Sequence, residues 1–537
     1  MNCKSNDNPL EKVWLVDSEN LPDPQSYTYW LSVTGTAVNP DTGKKLPRLA
    51  ERLETAYEDS RQQWWQLGKA MAMEKTAETC HAPTGGVYGS DFGLMLAWSK
   101  LVGDLKNSRE TVLVVCDDPW MFRHLSAFDH VKSGKPPGLF LKTIKMVCRG
   151  FMARFMVMGR ILLAQQTFKK QRRIFPKQAP VMLVYGHPES DETGKDAYFG
   201  NLLDQAPDLQ RLVHVDCLKN RALELCRHDR TFSLHAWGSV MDAIRVVFEY
   251  WRPGKKLTHG DFGWIIKRAA RYENSGGGPA MVRWQILCQR RFLKQANPRV
   301  IFWPWENFAW ERDLCRAGKK SGIRTAGYQH TAIGRHQINY AVYGNPDPEQ
   351  SLPDVIIANG PAYQAELINW GHDESRVKIG GSWRITEHPP CPYDKNGPIF
   401  VPLSGQLSIA RQQLKCAEML AEQDIPVLVK EHPMYPLDFK SQGLLRRTTQ
   451  GLYQQPALRA MLFTTGTSGL EATLSGIPAY RLQLDDRFSI NIYPDSVSVP
   501  SAGINDIGKI IKTSSQPDLI RWNDLFSKPD LSFWLNL

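Results

Sequence analysis

At 537 residues the chain exceeds what one hydrophobic core usually holds, and domains of roughly 100–200 residues predict two or three such units. With 42% hydrophobic and 23% charged residues the composition excludes a disordered chain, and no apolar run nears the length of a membrane span. The formal charge of +11 is local: no acid lies between Asp129 and Glu189, where twelve Lys and Arg occur, and removing these from the 66 leaves 54 against 55 acids. A near-neutral remainder without a recognition module argues against a nucleic-acid partner.

The ten cysteines form neither CxxC pairs nor Cys/His clusters, and read as free thiols of a reducing compartment. Residues 1–15 lack a secretory pattern, so a cytoplasmic location is expected.

In chain order, β-branched runs at 13–16, 111–116, 181–185, 212–215, 300–303, 324–327, 355–358 and 377–380 read as strands. Helical patterns at 92–102, 197–205, 238–251, 282–295, 307–321 and 362–370 lie between them. That alternation predicts βαβ units and parallel sheets, an α/β fold. From 136 to 180 the basic residues Lys142, Lys145, Arg149, Arg154, Arg160, Lys169, Lys170, Arg172, Arg173 and Lys177 are interleaved with Phe140, Ile144, Phe151, Phe155 and other apolar residues. Such a segment has the composition of a helix lying in an anionic membrane interface, on the inner face of the cytoplasmic membrane. A basic helical hairpin covering its own protein is the alternative.

Prolines at 389, 390, 392 and 398 mark 381–398 as a linker, after which strands at 399–403, 426–430, 460–463 and 479–482 alternate with helices at 408–422 and 468–475. The expected organisation is an N-terminal Rossmann-like domain, 1–380, carrying the basic insertion, then a C-terminal one, 399–505. Residues 506–537 are expected to pack back on the first.

Two motifs end strands of the second series. Pro426-Val427-Leu428-Val429-Lys430-Glu431-His432-Pro433 releases polar groups where a strand meets its loop. There Lys430 can neutralise a phosphate and His432 can hydrogen-bond to it; a solvated strand end is the bland alternative. The second, Phe463-Thr464-Thr465-Gly466-Thr467-Ser468-Gly469-Leu470-Glu471, joins a strand to a helix through a hydroxyl- and glycine-rich turn. That is the composition of an anion site, with Glu471 able to accept from ribose hydroxyls. Helix capping by Thr467 or Ser468 explains part of the same pattern.

The two motifs together resemble the C-terminal domain of GT-B glycosyltransferases that use CMP-activated acidic sugars, including capsule Kdo transferases and polysialyltransferases. With Ala197-Tyr198-Phe199-Gly200-Asn201-Leu202, Trp305-Glu306-Asn307-Phe308-Ala309-Trp310-Glu311-Arg312 and Gly327-Tyr328-Gln329-His330, the chain resembles bacterial surface-carbohydrate biosynthesis proteins over roughly 85–495. The resemblance implies two Rossmann-like domains facing a cleft and transfer from a nucleotide-sugar donor to a surface glycan or its lipid-linked precursor. His432 and Thr465, Gly466, Thr467 and Ser468 would hold the donor phosphate, and Glu471 the ribose. CDP-glycerol glycerophosphotransferases, UDP-sugar enzymes of the same fold and a non-catalytic scaffold are the competing readings.

Such a transfer needs a base for the acceptor hydroxyl. Asp91, after the glycine-rich 85–90 stretch, is one candidate, and an N-cap serves equally for it; the resemblance favours it as base. Glu306, at a strand end, is the other. Glu311, His330 and Arg384 are candidates for substrate binding, with Arg384 or Arg335 suited to the carboxylate of an acidic sugar. Asp117-Asp118 and Asp485-Asp486 read as turns, so no cofactor and no obligatory metal are expected.

Overall fold

The computed structural model describes residues 12–33, 42–87, 89–432, 435–484 and 487–537; Tyr88, Pro433 and the Asp485-Asp486 pair of the sequence motifs lie outside them. Three sheets carry the fold, and every strand pair in them is parallel. The first contains β1 (Val13–Val16), β2 (Tyr29–Ser32), β3 (Val112–Val115) and β4 (Val131–Ser133), in the order β2-β3-β1-β4. Residues 1–380 therefore hold two sheets, and the basic stretch at 136–180 runs between them.

The middle sheet is built from β5 (Val181–Val184), β6 (Gln210–Val213), β7 (Thr231–Ser233), β8 (Val300–Pro304), β9 (Arg324–Tyr328), β10 (Val355–Ala358) and β11 (Val377–Ile379), ordered β11-β10-β9-β8-β5-β6-β7. Counted from β5, the first six strands give 3-2-1-4-5-6, the order of doubly wound nucleotide-binding sheets. The third sheet repeats it: β12 (Ile399–Pro402), β13 (Val427–Lys430), β14 (Leu445–Thr448), β15 (Ala460–Phe463), β16 (Ala479–Gln483) and β17 (Ser501–Gly503) run β14-β13-β12-β15-β16-β17. Ligands in such sheets bind beyond the carboxyl ends of the strands where the winding reverses. Here that means the ends of β5 and β8 in one sheet and of β12 and β15 in the other.

The central strands form because their runs are buried on both faces: Val112–Val115, Val181–Val184 and Val300–Pro304 are buried throughout, as parallel strands require. Two expected helices are shorter than their patterns. The 197–205 pattern yields only Leu202–Gln205, since Asp196 accepts from the N–H groups of Tyr198 and Phe199 and Gly200 turns left-handed at φ 55°. The 238–251 pattern yields Val240–Arg245 and a 3-10 turn, Val246–Phe248.

The basic stretch forms one helix of 30 residues, Leu139–Phe168, rather than a hairpin. Arg154 departs from the expected cationic face: it is buried, and donates to the carbonyls of Val247 at 3.0 Å and Asn274 at 2.9 Å. No described helix is long and apolar enough to cross a membrane.

The last residues cross from the third sheet to the middle one. Ser527 N–H donates to Asn359, Asp530 N–H to Gly380, and Trp534 Nε1 to the Gly380 carbonyl. The Trp534 ring fills the space between Phe199, Phe302 and Tyr328. The tail passes so close that a β-carbon on Gly360 or Gly381 would stand within 2.4 Å or 2.2 Å of its backbone.

A second tie joins all three units. Glu54, from the helix Leu49–Asp59 beside the first sheet, pairs with Arg481 of β16 at 2.7 Å and accepts from Gln483 at 2.6 Å. His336, fully buried, accepts at Nδ1 from the Asn491 N–H, so its Nε2 carries the proton and faces Glu54 at 3.3 Å and Glu58 at 3.2 Å. Among the described residues, Glu54, Glu58 and His336 are the one group spaced to hold a metal; Arg481 pairs with Glu54, and Arg335 stands 3.6 Å from Glu58. Burial would raise the Glu54 pKa, but His336 and Arg481 outweigh it and hold the group down at about 2.

A carboxyl depressed in the fold contributes stability above its unfolded pKa near 4.5 and loses it as the pH falls toward 2. Glu54→Gln should therefore cost roughly 2–3 kcal/mol at pH 7. In denaturant melts the gap between variant and parent should close between about pH 4.5 and pH 2; a gap independent of pH would refute the ion-pair account.

Candidate functional site

Beyond the carboxyl ends of β5 and β8 lies a cavity of about 370 Å³ lined by Tyr185, Tyr198, His214, Asp216, Glu306, Phe308, Trp310 and His330, closed from the side by His81 and Gly278–Gln285. It stands at the reversal of winding in the middle sheet and has the size of a small-ligand pocket. Its wall is aromatic: Tyr198 meets the His330 ring edge-on at 5.0 Å and Tyr185 at 6.0 Å, while Trp310 packs on His214 at 4.9 Å.

The motif of residues 305–312 divides here into frame and function. Trp305 is fully buried core. Asn307 takes a left-handed conformation, φ 62°, which asparagine tolerates better than most residues. Its amide donates to the Asn339 carbonyl at 2.8 Å and to Asn345 at 3.0 Å. Arg312 Nε donates to the Asn307 carbonyl and side chain, both at 3.2 Å.

Glu311 is fully buried and accepts from the N–H groups of Glu306, at 3.0 Å, and Phe308, at 3.1 Å. Its carboxylate thus caps the helix Ala309–Lys320 and sets the loop before it. Glu311, a substrate-binding candidate from the sequence, accepts at Oε1 also from the Glu306 N–H, at 3.2 Å, and is not among the residues that line the cavity.

Glu306, held by that loop, faces the cavity with its side chain about a third exposed, at 32%. Burial pushes its pKa up to about 7, against the pull of Arg384. His330 Nε2 lies 3.6 Å from the Glu306 carboxylate, too far for a direct hydrogen bond and near enough for one hydroxyl or water to bridge. Burial, then the Arg384 charge, lowers the His330 pKa to about 3, so its ring is neutral. The sequence reading missed Tyr185, His214 and Asp216, which no local motif sets apart, and gave Tyr198 no role of its own within the 197–202 motif. His214 is buried, with Nε2 lacking a hydrogen-bond partner, and lines the same cavity.

Asp91 is not among these lining residues. Both its oxygens receive the guanidinium of Arg268, at 2.9 and 2.7 Å, and Arg268 Nε donates at the same time to buried Asp118 at 2.8 Å. The helix beginning at Phe92 receives no capping bond from the Asp91 side chain. Its carboxylate is held in a long-range ion pair with Arg268.

At the third sheet, Lys430 ends β13 and the turn Thr464–Ser468 follows β15. His432 leans over the loop after β12: a β-carbon on Gly405 would stand 3.2 Å from its Nε2. Thr465, Gly466, Thr467 and Ser468 are half-buried, Gly466 has φ 105°, and space is open above it. Thr464 Oγ1 is buried and unpartnered.

Gly469 serves packing instead, since a β-carbon there would strike Phe463 and Tyr493 within 2.4 Å. The helix Ser468–Leu474 has only seven residues, so side chains and turn, more than a helix dipole, define this site. Glu471 accepts from Thr467 at 3.2 Å; burial raises its pKa, opposed by Thr467, His388, Lys430 and Arg384. His388 stacks on Tyr453 at 3.8 Å beside it, a pair that the sequence reading also missed.

Arg384 lies in the linker between the two sheets. It is exposed, lies 5.3 Å from the Tyr198 ring centre, and acts electrostatically on Glu306, His330 and Glu471 alike. Among the described residues no carboxylate forms an ion pair with it. Arg335 instead faces Glu58 at 3.6 Å, at the tie between the units.

No protein-family model and no curated protein matches the chain. Solved structures that align with it include MurG of Acinetobacter baumannii (12% identity, 63% of this chain and 89% of that one, TM-score 0.34). The lipopolysaccharide outer core galactosyltransferase WaaB aligns at 10% identity, over 64% and 92%, with TM-score 0.33. UDP-N-acetylglucosamine 2-epimerase of Rickettsia bellii aligns at 12%, over 57% and 79%, with TM-score 0.30. Alignments at this level carry no argument about chemistry.

The division of the 305–312 motif is testable by stability. Glu311→Ala leaves buried N–H groups without an acceptor and should cost about 3–5 kcal/mol in chemical denaturation. Glu306→Gln removes a carboxyl that burial holds at a pKa of about 7, above its unfolded value near 4.5, and should leave stability unchanged or raise it by up to about 3 kcal/mol at pH 7. Equal losses would refute the division.

Proposed function

We propose that the chain is a GT-B-type glycosyltransferase that moves a sugar from a nucleotide donor held at the third sheet to an acceptor seated in the middle-sheet cavity. One observation carries the reading: at the reversal of winding in the middle sheet a cavity of about 370 Å³ holds Glu306 and His330 3.6 Å apart, and at that of the third sheet Lys430 and the Thr464–Ser468 turn stand at the strand ends, with exposed Arg384 in the linker between. Two nucleotide-type sheets with polar groups at both switch points fit a reaction in which charge builds on a leaving phosphate.

In this mechanism Lys430, His432 and the Thr464–Ser468 turn hold the donor phosphate, and Glu471 accepts from the ribose. The aromatic wall of Tyr185, Tyr198 and Trp310 seats the acceptor glycan. Glu306 takes the proton of the acceptor hydroxyl as its oxygen attacks the anomeric carbon, and the bond from that carbon to the phosphate oxygen breaks. Negative charge passes to the nucleotide, where Arg384, Lys430 and His432 offset it, and no metal or other cofactor is required.

For the donor we favour a CMP-linked acidic sugar, because Arg384 can pair with a sugar carboxylate. The phosphate site would serve a CDP-glycerol or UDP-sugar donor equally, so the nucleotide is read from binding. Thermal stabilisation across CMP, CDP and UDP identifies it, since a ligand of the folded form raises the melting temperature by mass action. No shift with any of them would favour a scaffold without catalysis.

His432→Ala should abolish that stabilisation. Glu306→Gln should retain it while lowering kcat by about 100-fold or more, the scale of general-base catalysis. A base must be ionised to act, so kcat/KM should rise about tenfold per pH unit below the Glu306 pKa of about 7 and level off above it. Unchanged turnover in Glu306→Gln, or a rate that falls through pH 7, would refute the assignment.

A further inference from the structure

The helix Leu139–Phe168 turns an apolar face outward. Its buried line, Met146, Gly150, Arg154, Ile161, Ala164 and Phe168, follows the helical repeat and packs on the protein. Away from that line, Phe140, Leu141, Ile144, Phe151, Met152 and Met156 are 45–76% exposed. Phe155, 41% exposed, sits edge-on against Phe151 at 4.7 Å.

A neighbouring segment extends the face. Met241, Ile244 and Phe248 are 57%, 43% and 77% exposed, and Arg154 fixes that segment to the helix through the Val247 carbonyl. An apolar surface of this size on a folded domain marks a contact surface.

What it contacts is decided by charge. Lys145, Arg149 and Arg160 lie along one flank of the apolar strip by their helical spacing. Beside Lys142, Lys145, Arg149 and Tyr272 lies a groove of about 470 Å³. Lys169, Lys170, Arg172 and Arg173 continue the positive charge past the helix end, all exposed. No acid occurs from residue 130 to 188. A second copy of the chain would set this cationic flank against its own kind, a repulsive arrangement. An anionic bilayer satisfies both halves, with acyl chains meeting the aromatic strip and headgroup phosphates meeting the cations.

We propose that the helix Leu139–Phe168, together with residues 240–248, is a docking surface for an anionic lipid bilayer and lies in the plane of its interface. The same helix stands behind the acceptor cavity. Val157 packs against Gly277, beside the cavity-lining Gly278, and Arg160 donates to the carbonyl of Asp216 in the cavity wall. Docking therefore sets the acceptor cavity close to the lipid surface. This consequence rests on the glycosyl-transfer reading, whereas docking itself does not.

Flotation of the full chain with vesicles, in the absence of any donor, tests the proposal independently of catalysis. The chain should float with vesicles containing phosphatidylglycerol and remain behind with pure phosphatidylcholine. Because each cation near such a surface is worth about fivefold in binding, replacing Lys169, Lys170, Arg172 and Arg173 by Glu should weaken binding well over tenfold. Phe140→Ser with Phe151→Ser should weaken it comparably. A melting temperature within a few degrees of the parent shows that these variants fold, as substitution at exposed sites predicts.

Equal flotation of parent and variants would overturn the proposal. So would a parent that binds neither vesicle and forms a dimer abolished by the Phe substitutions, since the face would then belong to a second copy. Vesicle binding that persists without nucleotide stabilisation or transfer would uphold docking while refuting the proposed function.

Discussion

The site depends on a buried carboxylate. Burying a polar group is costly unless hydrogen bonds replace its water, and Glu311, whose pKa burial and then the neighbouring Glu306 push well up, meets that condition only because the chain ahead of it folds back to present the N–H groups of Glu306 and Phe308. The fold-back demands a left-handed residue between them, which Asn307 supplies. Arg312 and Asn345 then satisfy the polar groups that the bend exposes. Most of this motif is therefore scaffold, and its product is the position of one side chain, Glu306. The same enclosure raises the pKa of Glu306 into the range where a carboxylate exchanges protons near neutrality.

Sheet order determines where that side chain matters. In both larger sheets the winding reverses between two parallel strands, and the strand ends there diverge to leave a crevice. Glu306 and His330 border one crevice; His432 and the 464–468 turn border the other. The linker then contributes more than length. Arg384 leaves the middle sheet just after β11, exposed and 5.3 Å from the centre of the Tyr198 ring that lines the first crevice.

How much of this was legible in the sequence follows from the range of the interactions. The double winding was, because central parallel strands are buried on both faces and appear as unbroken apolar runs, as in Val112–Val115 or Ala460–Phe463. Of the edge strands, Val377–Ile379 was legible, but Leu445–Thr448, which carries two exposed arginines, and Thr231–Ser233, only three residues long, were not. Lys430, His432, Glu306 and His330 could be singled out because strand-end polarity is local information.

Asp91 shows the opposite case. Its partner Arg268 is 177 residues away, and no local pattern separates an ion-paired acid from a base. Tyr198 and Trp310 stood in motifs of the sequence, but their convergence with Tyr185 into one wall was hidden for the same reason, since the three come from separate elements and only folding makes them neighbours.

The small first sheet has no counterpart in a plain pair of doubly wound domains, and its contacts indicate what it does. Its helix carries Glu54 to Arg481 of the third sheet and, through His336 and the Asn491 backbone, to both larger units at one point. Two domains that meet across a cleft move by hinge and shear, and their range is set by whatever spans them. Here the tail crossing at Trp534 and the Glu54–Arg481 pair are separate spans, one apolar and one charged. The apolar span resembles core and is insensitive to salt and pH. The charged span is buried, so opening it would strand Glu54 and Arg481 without partners, a cost that holds the third sheet at a fixed bearing on the middle one. The first sheet thus acts as a brace between the two larger sheets.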